Sequence, residues 1–357
     1  MLLFDAHLDL SMNAIEWNRD LARPLEEIRS REQGMDDKFD RGKSVISFAE
    51  MRRGNMGLVI ATQIARYVAP DNPLPGWHSP EIAWSITQAQ LSWYRTMEEA
   101  GQLKQIVDKS GLEEHFQLWQ NDPPADAPIG YILSLEGADS IVDLSYLERA
   151  YEYGLRALGP AHYGTGRYAP GTGVEGPLEK DGPALLAEME QLGIVLDCTH
   201  LTDEAFWQCL ELYSGPVWAS HNNCRALVPE QRQFSDEQLK ALIDRDAVIG
   251  AVFDAWMMHP GWVRGVTTPQ ETGLKIERIC EHIDHICQLA GNARHCGVGS
   301  DLDGGFGREQ APMDLASIAD LQTIPGLLSD RGYSQDDIEG IMYGNWIRRI
   351  SEIWSVS

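Results

Sequence analysis

The sequence predicts an α/β fold, a (β/α)8 TIM barrel with an elaborated N-terminal excursion and C-terminal helices. Eight short apolar runs occur along the 357 residues, and most are separated by a stretch with helical periodicity. The runs are apolar nearly throughout, as strands of a parallel sheet buried on both faces must be. The length suits one barrel with insertions, so we expect a single barrel domain over residues 1–357.

The predicted strands are short and rich in β-branched residues, with turn residues at their borders. The first begins at Leu2–Phe4 and leads into His7 and Asp9. The other seven are Gly57–Ile64, Ile129–Gly137, Leu155–His162, Ile194–His200, Val217–His221, Ala247–Phe253 and His295–Asp301.

Helical stretches fill most of the intervals between these strands. Ser47–Arg53 stops at Gly54 and Glu81–Ala100 stops at Gly101, which is typical of helix C-termini. The other predicted helices are Leu144–Tyr153, Pro183–Gln191, Thr202–Tyr213, one that begins at Ser235, and Thr272–Leu289. Trp17–Lys43 is a polar excursion of loop and short helix, and Met313–Trp354 is helical with a new start at Ser334.

Charge and composition exclude several classes of partner. The formal net charge of −25 argues against a nucleic acid or an anionic membrane surface, since both require a basic patch. The first ten residues carry no basic region of a secretory signal, and no apolar run approaches the ~20 residues of a membrane span. The six cysteines form no CxxC pair and suit reduced thiols. We therefore expect a cytoplasmic protein.

Polar side chains lie at the C-terminal ends of six of the eight predicted strands. In a parallel barrel these ends form one face, where side chains that carry chemistry gather. The residues are His7 and Asp9, Glu136, His162, His200, His221 and Asp301. Each has an ordinary explanation alone, such as a strand end that meets water. Imidazoles and carboxylates at equivalent strand ends together indicate a site for a divalent transition metal.

The motifs around these residues resemble the membrane (renal) dipeptidase family of the metal-dependent amidohydrolase superfamily. The resemblance runs in order through His7-Leu8-Asp9, Leu135-Glu136-Gly137, Asp197-Cys198-Thr199-His200, Ser220-His221 and Gly299-Ser300-Asp301-Leu302-Asp303-Gly304. It covers nearly the whole chain. The HxD pair in place of the usual HxH, together with a strand-end Glu, makes the signal specific.

This resemblance implies a metal-dependent hydrolase with a binuclear zinc site. His7 and Asp9 would hold one ion, His200 and His221 the other, and Glu136 would bridge both. A metal-bridging hydroxide would attack the peptide bond of a small dipeptide, and the C-terminal residue could be a D-amino acid, as in relatives. Asp301 would carry the proton to the leaving amine, and His162 would stabilise the oxyanion. Ligand type alone also suits manganese, iron or cobalt.

The resemblance assigns the substrate carboxylate to Arg232, and a planar guanidinium suits such a group. Arg225 is a nearby competitor. Two departures put the substrate in doubt. Tyr163–Tyr168 lacks the asparagine and tryptophan that usually follow the histidine at 162, and Asp254 stands where the family has a substrate-binding tyrosine. A carboxylate there would repel a substrate carboxylate unless a cation pairs with it, or would attract a substrate amine.

Three functions therefore stay open. The first is a zinc-dependent dipeptidase, and the second is an amidohydrolase with the same site that acts on N-acyl amino acids, lactones or cyclic amides. The third, much weaker, is a non-catalytic metal-binding barrel, which the intact Asp301 argues against. Beyond the small-molecule substrate we expect no partner except a second copy in a homodimer, the commonest assembly.

Overall fold

The computed structural model describes residues 1–70, 72, 74–121 and 123–355. A closed barrel of eight parallel strands forms its centre, and a ninth short strand lies at its edge. The strands are β1 (Leu3–Leu8), β2 (Met56–Ile64), β3 (Leu103–Gln105), β4 (Ile129–Glu136), β5 (Leu155–Gly159), β6 (Val195–Asp197), β7 (Val217–Trp218), β8 (Ile249–Ala251) and β9 (Cys296–Val298).

All strand pairs are parallel, and the barrel order is β7-β6-β5-β4-β2-β1-β9-β8. A parallel bridge between Ala219 and Ile249 joins the two ends and closes the ring. The short β3 pairs with the first residues of β4, and β5 pairs with the last ones. The predicted (β/α)8 fold class is thus confirmed, with β3 as an addition that the sequence did not predict.

The helices surround the barrel. They are α1 (Leu10–Ile15), α2 (Leu25–Arg31), α3 (Phe48–Arg53), α4 (Pro80–Glu99), α5 (Lys109–Gln120), α6 (Leu144–Glu152), α7 (Gly182–Leu192), α8 (Asp203–Leu212), α9 (Asp236–Asp244), α10 (Ala255–Met258), α11 (Pro269–Thr272), α12 (Ile279–Ala290), α13 (Ile324–Asp330), α14 (Gln335–Glu339) and α15 (Asn345–Ile353). In the described part of the chain, none of them combines the length and apolarity needed to cross a bilayer. The cytoplasmic location, the single-domain boundary and the homodimer stay predictions.

Most helix predictions are confirmed, and one is wrong. Thr272–Leu289 is not continuous, because α11 ends at Gly273 in the left-handed conformation (φ +68°) and α12 begins only at Ile279. The predicted start at Ser334 is confirmed, and its side chain forms a capping box with Asp337. The helix α5 is an addition that the sequence did not predict.

The barrel interior is filled at the end opposite the strand C-termini. Trp346 of α15 stacks on Phe4 at 6.1 Å between ring centroids and meets Trp218 edge to face at 5.7 Å. Its indole nitrogen donates a hydrogen bond to the Val298 carbonyl at 3.1 Å. All six residues of β1 and all nine of β2 are buried. Aromatic side chains thus fill the barrel interior around Phe4 and Trp218.

The barrel closes between β7, β8 and β9 because two glycines allow a close approach. A Cβ at Gly250 or Gly299 would overlap the Ser220 carbonyl oxygen. We therefore expect Gly250→Ala to lower the free energy of unfolding by about 1–3 kcal/mol through overpacking. Urea unfolding followed by circular dichroism measures the change.

The control is Gly326→Ala within α13, where no described atom lies near the added methyl group. Removing a glycine from a helix should raise the stability by about 0.5–1 kcal/mol. An unchanged unfolding midpoint for Gly250→Ala would show that the closure adapts to the extra carbon.

Candidate active site

The residues predicted to carry chemistry meet at the C-terminal rim of the barrel. His7 lies in β1, Asp9 directly after it, and Glu136 is the last residue of β4. The other four each follow a strand by three residues: His162 after β5, His200 after β6, His221 after β7 and Asp301 after β9. All seven contribute to three overlapping groups of potential metal ligands, each with its ligand atoms within 4.8 Å of one another.

Glu136 is the centre of this cluster. Its Oε1 atom lies 3.1 Å from His200 Nε2 and 3.5 Å from the Nε2 atoms of both His7 and His221. Its Oε2 atom lies 3.9 Å from His162 Nε2. One carboxylate therefore faces four imidazoles and is the neighbour that all of them share.

The donor atoms fit divalent metal ions. The buried Nε2 of His7 has no hydrogen-bond partner among the described residues, and it lies 3.9 Å from oxygens of both Asp9 and Asp301. The Nε2 atoms of His200 and His221 face each other at 3.1 Å. Burial lowers the pKa of these two rings well below the usual value, so their nitrogen lone pairs are free to bind a metal. Nitrogen and carboxylate donors of this kind suit zinc and its neighbours.

Excess negative charge reinforces this interpretation. Burial by itself lowers the pKa of His7, but Glu136, Asp9 and Asp301 outweigh it and raise the pKa to about 10. Burial raises the pKa of Asp9 to about 7, and the carboxylate of Glu136 adds to the rise. Burial also raises the pKa of Asp301 well above its usual value. Cations at the centre of the cluster would stabilise all these carboxylates.

Hydroxyl groups orient the histidine rings from behind. Thr172 Oγ1 lies 2.8 Å from His200 Nδ1, and Ser220 Oγ lies 2.9 Å from His221 Nδ1 and 3.3 Å from His7 Nδ1. All three contacts are made to Nδ1 atoms, so each Nε2 atom faces the cluster. His200 and Asp301 also have positive φ angles, +71° and +57°, a strained conformation that often marks functional positions.

Two buried aspartates hold the strand ends that carry these ligands. Asp5 Oδ1 accepts hydrogen bonds from the backbone N–H groups of His7 and of Ser300 on the neighbouring strand, at 3.2 and 2.7 Å. Asp197 Oδ1 accepts from Thr199 and from Ser220 on its neighbouring strand, at 3.1 and 3.0 Å. The same type of contact therefore joins two pairs of adjacent strands, β1 with β9 and β6 with β7.

A cavity of about 440 Å³ opens beside the cluster and contains Arg232. This arginine is only 4% exposed and donates to Asn222 Oδ1 at 2.6 Å and to the His221 carbonyl at 2.9 Å. No carboxylate among the described residues pairs with it. Arg225, its competitor in the sequence analysis, instead forms a bidentate ion pair with Asp203 at 2.7 and 2.8 Å.

Asp254 lines the same cavity but is engaged by protein donors. Its Oδ2 accepts from Arg264 at 2.6 Å and from the Trp256 indole at 2.7 Å, and its Oδ1 accepts from Gln310 at 2.8 Å. Burial raises the pKa of Asp254, and the charge of Arg264 opposes the rise. Arg264 therefore supplies the positive charge that offsets the repulsion between Asp254 and an anionic substrate. A direct role of Asp254 in substrate binding stays a prediction.

The cavity lining also includes Arg66, Tyr163 and Arg264, none of which was predicted from the sequence as a site residue. Arg66 lies two residues after β2, so its position after a predicted strand was a usable signal. Tyr163 lies directly after His162, and their rings meet edge to face at 4.9 Å. Arg264 lies in a loop without periodicity, and no local pattern marked it.

The membrane dipeptidase family model (Peptidase family M19) matches residues 1–357. The chain belongs to this family. Membrane dipeptidases are metallopeptidases, and the His, Asp and Glu cluster is the candidate metal site of this member.

Among the relatives, an uncharacterized protein in the pqqA 5′ region of Klebsiella pneumoniae is 29% identical over 58% of this chain and 76% of its own length. Dipeptidase aclJ of Aspergillus oryzae is 28% identical over 64% of this chain and 53% of its own length.

Two solved structures share the fold over 99% of both chains. One is the dipeptidase AC, a metallopeptidase of family M19, with a TM-score of 0.79 and 23% identity. The other is a metallopeptidase from Rhodobacter sphaeroides, liganded with a phosphinate mimic of the dipeptide L-Ala-D-Ala, with a TM-score of 0.78 and 22% identity.

The Arg264–Asp254 pair yields a prediction about stability. The Arg264 side chain is 46% exposed whereas Asp254 is 2% exposed, so Arg264→Gln leaves a buried carboxylate without its cation. We expect a loss of about 1 kcal/mol, allowing for solvent screening of the exposed partner. The loss should be larger at about pH 8 than at about pH 5, because a carboxyl with a raised folded pKa destabilises the fold as the pH rises.

Thermal unfolding at both pH values measures this loss. Arg264→Gln combined with Asp254→Asn is the control, since it removes the buried charge together with its partner, and it should restore most of the stability and abolish the pH dependence. Equal losses at both pH values in the single variant would contradict the assigned role of the ion pair.

Proposed function

We propose that this membrane dipeptidase is a binuclear zinc enzyme that hydrolyses small dipeptides with a free C-terminal carboxylate. The observation that carries the proposal is the convergence of three imidazole Nε2 atoms on Glu136 Oε1. The buried Arg232, which has no carboxylate partner among the described residues, lies beside them. A metal site and a carboxylate site side by side match a substrate whose scissile carbonyl lies a few bonds from its carboxylate.

In this proposal His7 and Asp9 would hold one ion, His200 and His221 would hold the other, and Glu136 would contribute to both sites. When bound, the ions would supply Lewis-acid chemistry, namely polarisation of the scissile carbonyl and acidification of water at neutral pH. The protein fixes the ligand geometry through Ser220 and Thr172, which hold the Nδ1 atoms of the histidine ligands.

Asp301 serves as the proton carrier. Its Oδ1 lies 3.9 Å from His7 Nε2, and the side chain also lines the cavity, so it can reach both the cluster and a bound substrate. The carboxylate takes a proton from the attacking water and delivers it to the nitrogen of the leaving amine. Its backbone is held in place by a hydrogen bond from its N–H to the His7 carbonyl at 3.2 Å.

His162 and Arg232 act on the substrate itself. The His162 ring lies on the cavity side of Glu136, where a donor from Nε2 stabilises the negative charge that develops on the carbonyl oxygen. The guanidinium of Arg232 binds the C-terminal carboxylate, because its charge has no protein counter-ion among the described residues. Binding at this second point orients the peptide bond over the metal ligands.

One observation supports a second candidate, an amidohydrolase with the same site that acts on N-acyl amino acids, lactones or cyclic amides. Both oxygens of Asp254 accept hydrogen bonds from the protein, so this carboxylate is not free to bind a substrate amine. The two functions share the metal site and Arg232. They differ in whether a free amino group is required.

The deciding experiment incubates the zinc-reconstituted protein with L-L and L-D dipeptides, their N-acetyl derivatives and their C-terminal amides. We expect release of amino acids from the free dipeptides, read by mass spectrometry, with little from the amides because they lack the carboxylate for Arg232. The L-D pairs are included because the Rhodobacter relative binds a mimic of L-Ala-D-Ala. Cleavage of only the N-acetyl set would favour the second candidate.

Metal content tests the ligand assignment. His200→Ala should lower bound zinc from two ions per chain to about one and reduce kcat by at least about 10²-fold, since each ion depends on its own ligands. Elemental analysis of dialysed protein gives the ion count. His285→Ala is the matched control, because this histidine pairs with Asp236 at 2.7 Å, outside the cluster. Full zinc content in His200→Ala would exclude this residue as a ligand.

A further inference from the structure

Arg66 reaches from the end of β2 to the ring of His162. Its Nη2 atom lies 2.8 Å from His162 Nδ1. Arginine has N–H donors only, so the Nδ1 atom must accept this hydrogen bond. In a neutral imidazole with an accepting Nδ1, the proton is on Nε2. The contact therefore selects one of the two tautomers of His162.

The selected tautomer presents its N–H toward the metal cluster. His162 Nε2 lies 3.9 Å from Glu136 Oε2, so the ring has Arg66 at its Nδ1 atom and the cluster at its Nε2 atom, and both His162 and Arg66 line the cavity. A His162 with the opposite tautomer would place a lone pair there and repel an oxygen that is gaining negative charge. The tautomer thus decides whether this ring can act as a donor.

The surrounding loops hold Arg66 in this position. Its Nη1 donates to the Pro75 carbonyl at 2.9 Å, and within the described chain it forms no ion pair with a carboxylate. Asp139 ties the two neighbouring segments together, since it accepts from the backbone N–H of Tyr67 at 3.2 Å and of Arg167 at 2.8 Å. The guanidinium is therefore held between the Pro75 carbonyl and the His162 ring.

We propose that Arg66 is a positioning residue that fixes His162 as an Nε2–H donor facing the metal cluster. The tautomer itself does not depend on the reaction. Its use, as a donor to the substrate carbonyl, rests on the function proposed above. A purely structural alternative is that Arg66 only fastens the loop at Pro75, and this alternative predicts no effect on the His162 ring.

The test combines nuclear magnetic resonance of the zinc-loaded protein, labelled with 15N at histidine, with steady-state kinetics. A His162→Gln variant identifies the ring signals of His162 among those of the ten histidines. In the wild type we expect protonated Nε2 and unprotonated Nδ1. Arg66→Met should abolish this pattern and lower kcat by about 10²-fold with KM within about twofold, since the lost donor acts in the transition state.

Two further variants separate the hydrogen bond from charge and folding. Arg66→Lys keeps a donor-only side chain and should restore part of the wild-type ring pattern and kcat. Lys38→Met removes a cation of the adjoining cavity and should leave the His162 pattern unchanged, because Lys38 has its ammonium over the Trp17 ring. The wild-type spectrum and Arg66→Lys test the proposal even if Arg66→Met does not fold.

A wild-type protein with protonated Nδ1 would overturn the proposal. So would an Arg66→Met protein that keeps the wild-type ring pattern, whether its KM or melting temperature changes or not, because that result assigns Arg66 to loop structure alone. The spectrum is recorded without substrate. It therefore decides the tautomer even if no dipeptide is cleaved, in which case only the proposed function fails.

Discussion

The structure depends on one buried carboxylate, Glu136, which lies at the end of β4 with imidazole nitrogens on several sides. Burial of a carboxylate is costly unless cations or donors compensate it. Its neighbours Asp9 and Asp301 add negative charge to the same small volume. The cluster is therefore arranged for divalent cations, and this explains why residues from most of the barrel strands meet here.

The fold serves this cluster by holding the strand ends in register. Asp5 and Asp197 each accept hydrogen bonds from the backbone of their own strand and of an adjacent one, so that the cluster residues on these strands keep a common geometry. At the closure, Gly250 and Gly299 leave room for the Ser220 carbonyl. Trp346 fills the opposite end of the barrel. Close packing in the barrel interior thus fixes the positions of the cluster residues at the strand C-termini.

The three arginines that line the cavity have different partners, and we therefore assign them different roles. Arg264 pairs with Asp254, and Arg66 contacts a histidine and a carbonyl. Arg232 contacts Asn222, the His221 carbonyl and, at 3.5 Å, His200 Nε2, and no carboxylate of the described residues pairs with it. The positive charge of Arg232 is therefore not neutralised by a carboxylate of the described residues, and it lies beside the candidate metal cluster. The anionic end of a small substrate would complement this arginine.

The sequence by itself determined the barrel, the order of its strands and the residues at their C-terminal ends. Apolar runs are visible in the local sequence, and a parallel barrel brings the C-terminal ends of all its strands to one rim, independently of the loop conformations. It did not determine the break before Ile279, the added strand β3, or the partners of Arg66 and Arg264. Only the tertiary structure decided those, because they depend on contacts between loops far apart in the chain, which leave no periodic signal in the sequence.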